Sequence, residues 1–306
     1  MEASGSHKWT KNILKELDIN PKIVMRAQKA WDLSQTTDGD PEHITTGCHR
    51  LDGFLGGGVP VRGITEVTGQ SGSGKTQVAL QLALCAQLPR DAGGTGKGVA
   101  YICTESQFPA TRLQQMIRYF KQEHCQGPTC YTDNIFVHHI PDMDSLVDCV
   151  RYQLPSLVSR RPIGLVVVDS VAAPFRAEES SAENKGLLQT MGHSLHQLAA
   201  AHSIAVVAVN QVTSAMGNNN LYGHSGSVVA TLGLSWANLV TTRLMLGRTD
   251  AYVTGEPAET SIQAQKPASQ IAVKYNIRQL EVIFCPWLER KSCQLVVTKK
   301  GIEDVE

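Results

Sequence analysis

The chain has 306 residues, of which 42% are hydrophobic and 18% charged, enough for one large α/β domain with a small appendage and too apolar for a disordered chain. Lysine plus arginine and aspartate plus glutamate both number 28, so net charge gives no argument for nucleic acid or a membrane surface, and any DNA contact must come from local patches. No apolar run approaches the roughly 18 residues of a membrane span and the N-terminus lacks a signal-peptide core, so no membrane partner is expected.

In chain order, residues 1–43 read as an N-terminal arm and linker: a helical patch near Ile13 to Leu17, an apolar stretch from Ile23 to Leu33, then linker composition from Ser34 to Glu42. Residues 44–306 read as the core. Gly56-Gly57-Gly58-Val59-Pro60 is a tight turn leading into a short buried strand, Ile64 to Val67. A helix is expected over Gln77 to Leu88, with Val78, Leu82 and Cys85 on one face and Pro89 as its stop. Asp91 to Gly98 reads as a solvent loop, since a strand and not a helix follows Gly94 and Gly96 and a dinucleotide fingerprint is therefore disfavoured.

Strand and helix then alternate: Val99 to Cys103, a helix over Thr111 to Gln122, Ile135 to Ile140, a helix over Ser145 to Ser159 that Pro155 could kink, Ile163 to Val168, a helix over Asn184 to His202, and Ile204 to Val209. Such alternation predicts crossovers and a mainly parallel, twisted sheet flanked by helices. His138 and His139 read as structural, because neighbours on a strand point to opposite faces. Leu239 to Leu246, Ile271 to Phe284 and Leu295 to Thr298 read as antiparallel additions, with Thr249 to Ser269 a polar insertion. The eight cysteines are scattered without a CxxC pair and read as reduced thiols of an intracellular protein.

Chemistry concentrates in Gly69-Gln70-Ser71-Gly72-Ser73-Gly74-Lys75-Thr76, which fits a phosphate-binding P-loop at every fixed position and lies between a strand and a helix. Its glycines let successive backbone N–H groups and the helix N-terminus converge on one anion, ATP being the expected ligand. Lys75 adds a cation for the β- and γ-phosphates, and Thr76 a hydroxyl for Mg²⁺. Ligands of open parallel sheets sit at the carboxyl ends of strands, where this sequence places Glu105, Asp169 and Gln211. Asp169 suits Mg²⁺ held through a water, Glu105 suits polarising the attacking water, and Gln211 suits sensing the γ-phosphate. Taken singly, each could instead cap the next helix.

Ile44-Thr45-Thr46-Gly47, Leu55 to Val59, Ile64-Thr65-Glu66-Val67, the P-loop, Tyr101 to Glu105, Val168-Asp169-Ser170 and Asn210-Gln211-Val212 together resemble the ATPase core of the eukaryotic RecA-like recombinase paralogues, from about Ile44 to Ile302. The resemblance implies a RecA-like P-loop ATPase fold and a nuclear role in homologous recombination with slow, DNA-dependent ATP hydrolysis. It also implies a heterodimer with another such paralogue, work on recombinase filaments, contact with single-stranded or branched DNA mainly through the complex, and Arg112 against the adenine. Val24-Met25-Arg26-Ala27 loosely resembles the aromatic-x-x-Ala motif that joins recombinase protomers, with Val24 in the aromatic place. The family's helical N-terminal domain is missing or reduced to the arm. The loop from Thr213 to Ala230 has no Lys, Arg, Asp or Glu, so the chain alone is expected to bind DNA weakly. A stand-alone DNA-dependent motor or strand-exchange enzyme, and a scaffold that binds ATP without cleaving it, remain alternatives.

Overall fold

The computed structural model describes residues 43–178, 182–214, 228–255 and 273–305. The expected arm with Val24 to Ala27, the middle of the Thr213 to Ala230 loop and most of the Thr249 to Ser269 insertion lie outside them. A two-stranded antiparallel pair, β1 (His43–Ile44) and β2 (Val59–Pro60), encloses α1 (His49–Leu55). Next come β3 (Ile64–Thr68), α2 (Lys75–Cys85), β4 (Gly98–Cys103), α3 (Ala110–Glu123), β5 (Ile135–His139), α4 (Met143–Asp148) and α5 (Leu154–Arg160). After β6 (Ile163–Asp169) and α6 (Ala182–His202) come β7 (Ala205–Asn210), the hairpin β8 (Val212–Ser214) and β9 (Val228–Ala230), and α7 (Gly233–Ala237). The chain ends in β10 (Thr242–Gly255), β11 (Val273–Phe284), β12 (Ser292–Val297) and β13 (Ile302–Asp304).

Nine of these strands form one sheet in the order β13-β12-β11-β10-β3-β7-β6-β4-β5. From β10 to β5 every pair is parallel, and from β10 to β13 every pair is antiparallel. The period-two pleat divides each central strand between two cores. In β6, Leu165 and Val167 join the side covered by α2 and α3, while Val166 and Val168 join the side covered by α4, α5 and α6. Continuing that parity, Asp169 is aimed to the α2 side, where the helix begins with Lys75 and Thr76. At the far end β5 pairs with β4 alone among the described residues, and Val137 to His139 on it are exposed. Among the described residues no helix is long and apolar enough to cross a membrane.

The helix expected over Gln77 to Leu88 runs instead from Lys75 to Cys85 and is buried on nearly every side, with Leu80, Leu82 and Leu84 at most 1% exposed. A one-faced pattern therefore understates it, because the sheet, α3 and the C-terminal strands all close over this element. Its end tightens into three-residue bonds, Gln87 N to Leu84 O and Leu88 N to Cys85 O, before Pro89. The supposed solvent loop does the capping. Thr95 N–H and Oγ1 both donate to Ala86 O, at 2.9 and 2.8 Å, and Gly96 N–H donates to Leu88 O at 2.7 Å, so Gly94 and Thr95 are buried.

Between β5 and β6 the expected helix is present and continuous over 143–160, with α4 and α5 joined through a π-helical turn from Cys149 to Gln153. Pro155 has no N–H to give to residue 151, and the wider turn just before it absorbs that missing bond. Toward the C-terminus β10 starts at Thr242, pairs parallel with β3, and runs 14 residues to Gly255, so residues 249–255 are strand and not insertion. The sequence Ala251-Tyr252-Val253-Thr254 has β-forming side chains that its polar neighbours obscured. Register shifts near Arg243 and between Arg248 and Tyr252 mark where the long ribbon bends.

Candidate active site

The turn between β3 and α2 is built by glycine where nothing else fits. A Cβ on Gly69 would collide with the carbonyl oxygen of Leu246, and Gly72 has φ of 73°. The N-cap, Gly74, has no side chain to satisfy the first N–H groups of α2, so the helix opens with donors directed outward. Lys75, 9% exposed, folds over the loop and donates to the carbonyls of Gly69 and Gln70 at 2.8 and 2.9 Å. Ser73 is fully buried, and its hydroxyl has no hydrogen-bond partner among the described residues.

Strand ends bring the other groups in. Asp169 Oδ2 accepts from Thr76 Oγ1 at 2.8 Å and from Tyr101 Oη at 2.9 Å. Burial raises the Asp169 pKa above the usual carboxylate range, with Glu105 adding to the rise and the two hydroxyls and Lys75 pulling against it. Burial likewise pushes Tyr101 well above its ordinary value, helped by Asp169, so it stays a donor. Glu105 Oε1 accepts from Gln211 Nε2 at 2.6 Å and from Ser170 Oγ at 3.1 Å. Ser71, Gly72, Gly74, Lys75, Thr76, Glu105, Asp169 and Gln211 line one cavity of ≈ 330 Å³, and Gly69, Gln70 and Ser73 complete the loop beneath it.

Arg112 does not line that cavity. Its guanidinium ties α3 to its surroundings, donating to Gln77 Oε1 (2.6 Å), Gln115 Oε1 (2.5 Å) and the carbonyls of Thr298 (2.6 Å) and Lys299 (2.9 Å). Burial lowers its pKa. Neither His138 nor His139 approaches this site; both are exposed on β5.

The residues present suit a nucleoside polyphosphate with Mg²⁺. An uncapped helix start and Lys75 offer positive potential to the phosphates, the orphaned Ser73 hydroxyl sits beneath the loop, and Thr76 with Asp169 is a hard-oxygen pair of the kind magnesium takes.

A second polar group lies on two of the motifs that carry the resemblance, but was not singled out for chemistry from the sequence. Glu66, fully buried on β3, accepts from Asn210 Nδ2 at 2.6 Å and from Trp236 Nε1 at 2.8 Å, and pairs with Arg243. Asn210 Oδ1 in turn takes Gln211 N–H at 2.7 Å and Thr231 Oγ1 at 2.5 Å. Gln211 is thereby joined both to Glu105 and to the closing stem of the β8–β9 hairpin. The run Ile64-Thr65-Glu66-Val67 shows a charged residue inside an apolar strand, and that inconsistency was the one hint.

A Rad51 family profile matches residues 42–255. The chain is 37% identical over 296 residues to "DNA repair protein XRCC3" of Mus musculus, covering 90% of this chain and 80% of that one. It is 34% identical over 284 residues to "DNA repair protein XRCC3 homolog" of Arabidopsis thaliana, covering 85% and 92%. It is also 34% identical over 242 residues to "DNA repair protein rhp57" of Schizosaccharomyces pombe, covering 67% and 68%. Since the profile spans well over half of the sequence and the sheet that carries the loop is RecA-like, the chain belongs to the Rad51 family.

Proposed function

We propose that this chain is a DNA repair protein of homologous recombination that binds ATP with Mg²⁺ and hydrolyses it slowly, as a switch. The observation that carries the reading is the shared Glu105 carboxylate, held at the mouth of the P-loop cavity by Gln211 and Ser170. The names of its relatives support the repair role.

When bound, magnesium would supply positive charge that offsets the charge of the phosphates. The chain's own residues do the rest. Lys75 exchanges the Gly69 and Gln70 carbonyls for phosphate oxygens, which are better acceptors of a charged donor. Thr76 and Asp169 would hold the metal, and a cation there would offset the cost of an ionised carboxylate in a buried place. Glu105 orients the attacking water and takes its proton. Gln211 leaves Glu105 for the γ-phosphate, and through the Gln211–Asn210 bond that shift reaches Thr231 at the base of the hairpin.

In this reading residues 44–306 are the ATPase core and residues 1–43 an arm. The working unit is a heterodimer with another RecA-like paralogue in the nucleus. It acts on recombinase filaments and meets single-stranded or branched DNA mainly through the complex. Nucleotide titration and turnover assays test it. Lys75→Ala should weaken ATP binding at least about tenfold without loss of fold, and Glu105→Gln should keep binding while turnover falls by about 100-fold or more. Unchanged affinity in the first variant sinks the ATP assignment; unchanged turnover in the second moves the base elsewhere.

A further inference from the structure

Arg278 lies on β11, two strands away from β3 and 205 residues from Ser73 in the chain, yet it reaches the P-loop. Its Nε–H donates to the Ser73 carbonyl at 2.6 Å and its Nη1 to the Asn276 carbonyl at 2.9 Å. It packs so closely that a Cβ on Gly74 would stand 3.3 Å from Nε. The side chain lines the same ≈ 330 Å³ cavity as Lys75, Thr76 and Asp169.

A brace for two carbonyls does not require a charge, and this charge is badly placed for stability. The residue directly across on β10 is Arg248, and like charges facing each other on neighbouring strands repel. Burial, with Arg248 behind it, lowers the Arg278 pKa, and among the described residues no ion pair includes Arg278. Its two carbonyl bonds leave N–H donors over in a half-buried guanidinium. Such a fork, always charged and weakly hydrated, matches the oxygens of a phosphate.

We propose that Arg278 is a phosphate ligand of the bound nucleotide, a second cation beside Lys75 that the C-terminal antiparallel strands supply to the P-loop. The proposal rests on the ATP reading above. It gives those strands a part in nucleotide binding: the half of the sheet beyond β10 completes the charge around the phosphates.

The test is equilibrium titration of the full chain with Mg·ATP for the parent, Lys75→Ala, Arg278→Gln and Arg278→Lys, with a thermal melt of each. Glutamine keeps a donor for the Ser73 carbonyl without the charge; lysine keeps the charge without the fork. Arg278→Gln should lose about tenfold or more in affinity while its melting point stays near the parent's, and Arg278→Lys should lose less. Parent-like affinity in both Arg278 variants, with Lys75→Ala impaired, overturns the proposal and leaves the ATP reading standing. A common drop in melting point that accounts for the lost affinity of both makes Arg278 a structural brace and also overturns it. If Lys75→Ala itself binds like the parent, the ATP reading has failed first.

Discussion

Asp169 answers to two opposed demands. Its folded pKa is raised by burial, so the folded protein holds the carboxyl proton more tightly than the unfolded chain. That contribution is complete below the ordinary carboxylate range and disappears as pH rises through the folded pKa, so above that pKa an ionised Asp169 costs the nucleotide-free protein stability. An asparagine in its place would still present an oxygen to Thr76 and Tyr101. Asp169→Asn should therefore raise the melting point of the nucleotide-free chain while removing the magnesium-dependent part of nucleotide affinity. The gap in melting point should close as the pH is lowered below the carboxylate range. A variant that melts lower than its parent at neutral pH and keeps magnesium-dependent binding would show that Asp169 does not hold the metal. Lys75, Thr76, Glu105, Asp169 and Gln211 could be named from sequence because each follows a glycine loop or a strand end, positions that the chain order itself marks. Arg278 and Glu66 could not. Their roles come from strands that meet only across the finished sheet, and the spacing of Ser73 and Arg278 holds no trace of the contact.

At the scale of elements, the Glu66 group shows how the sheet holds α7 and the hairpin stem in place. Trp236 has no exposed surface and gives its indole N–H to a carboxylate that has none either. Trp236→Phe keeps most of the buried area and removes one hydrogen bond to a charged acceptor, so it should cost about 1.5–3 kcal/mol in chemical denaturation. A loss under about 0.5 kcal/mol would mean that Asn210 and Arg243 satisfy Glu66 without it. The central elements were legible because buried parallel strands read as continuous apolar runs between helical periods. Boundaries and partners were less so. The loop after α2 looked solvated since its sequence is rich in glycine, yet its backbone and Thr95 are spent on the last carbonyls of that helix. β10 was expected to start an antiparallel set, and its parallel pairing with β3 depends on where the chain emerges from α7, which periodicity does not encode.

For the molecule as a whole, balanced charge and a sheet that changes from parallel to antiparallel at β10 set out a P-loop between two unequal halves. The fold class followed from the alternation of elements, whereas the length of the C-terminal ribbon did not, its second half being polar enough to pass for a loop. The two ends of the sheet differ in kind. β13 has three residues, while β5 has five, pairs on one side among the described residues, and contains no lysine, arginine, acidic residue or proline. Natural edge strands are commonly blunted by such residues, and Val137 stands 45% exposed on this one. A concentrated preparation of the isolated chain should thus be colloidally fragile, gaining in light scattering with protein concentration as edges meet edge to edge. Val137→Lys should suppress that growth and leave nucleotide affinity alone. Scattering unchanged by the added charge would trace the association to another surface; suppression would make solubility, and not catalysis, the property this strand governs when the chain is handled by itself.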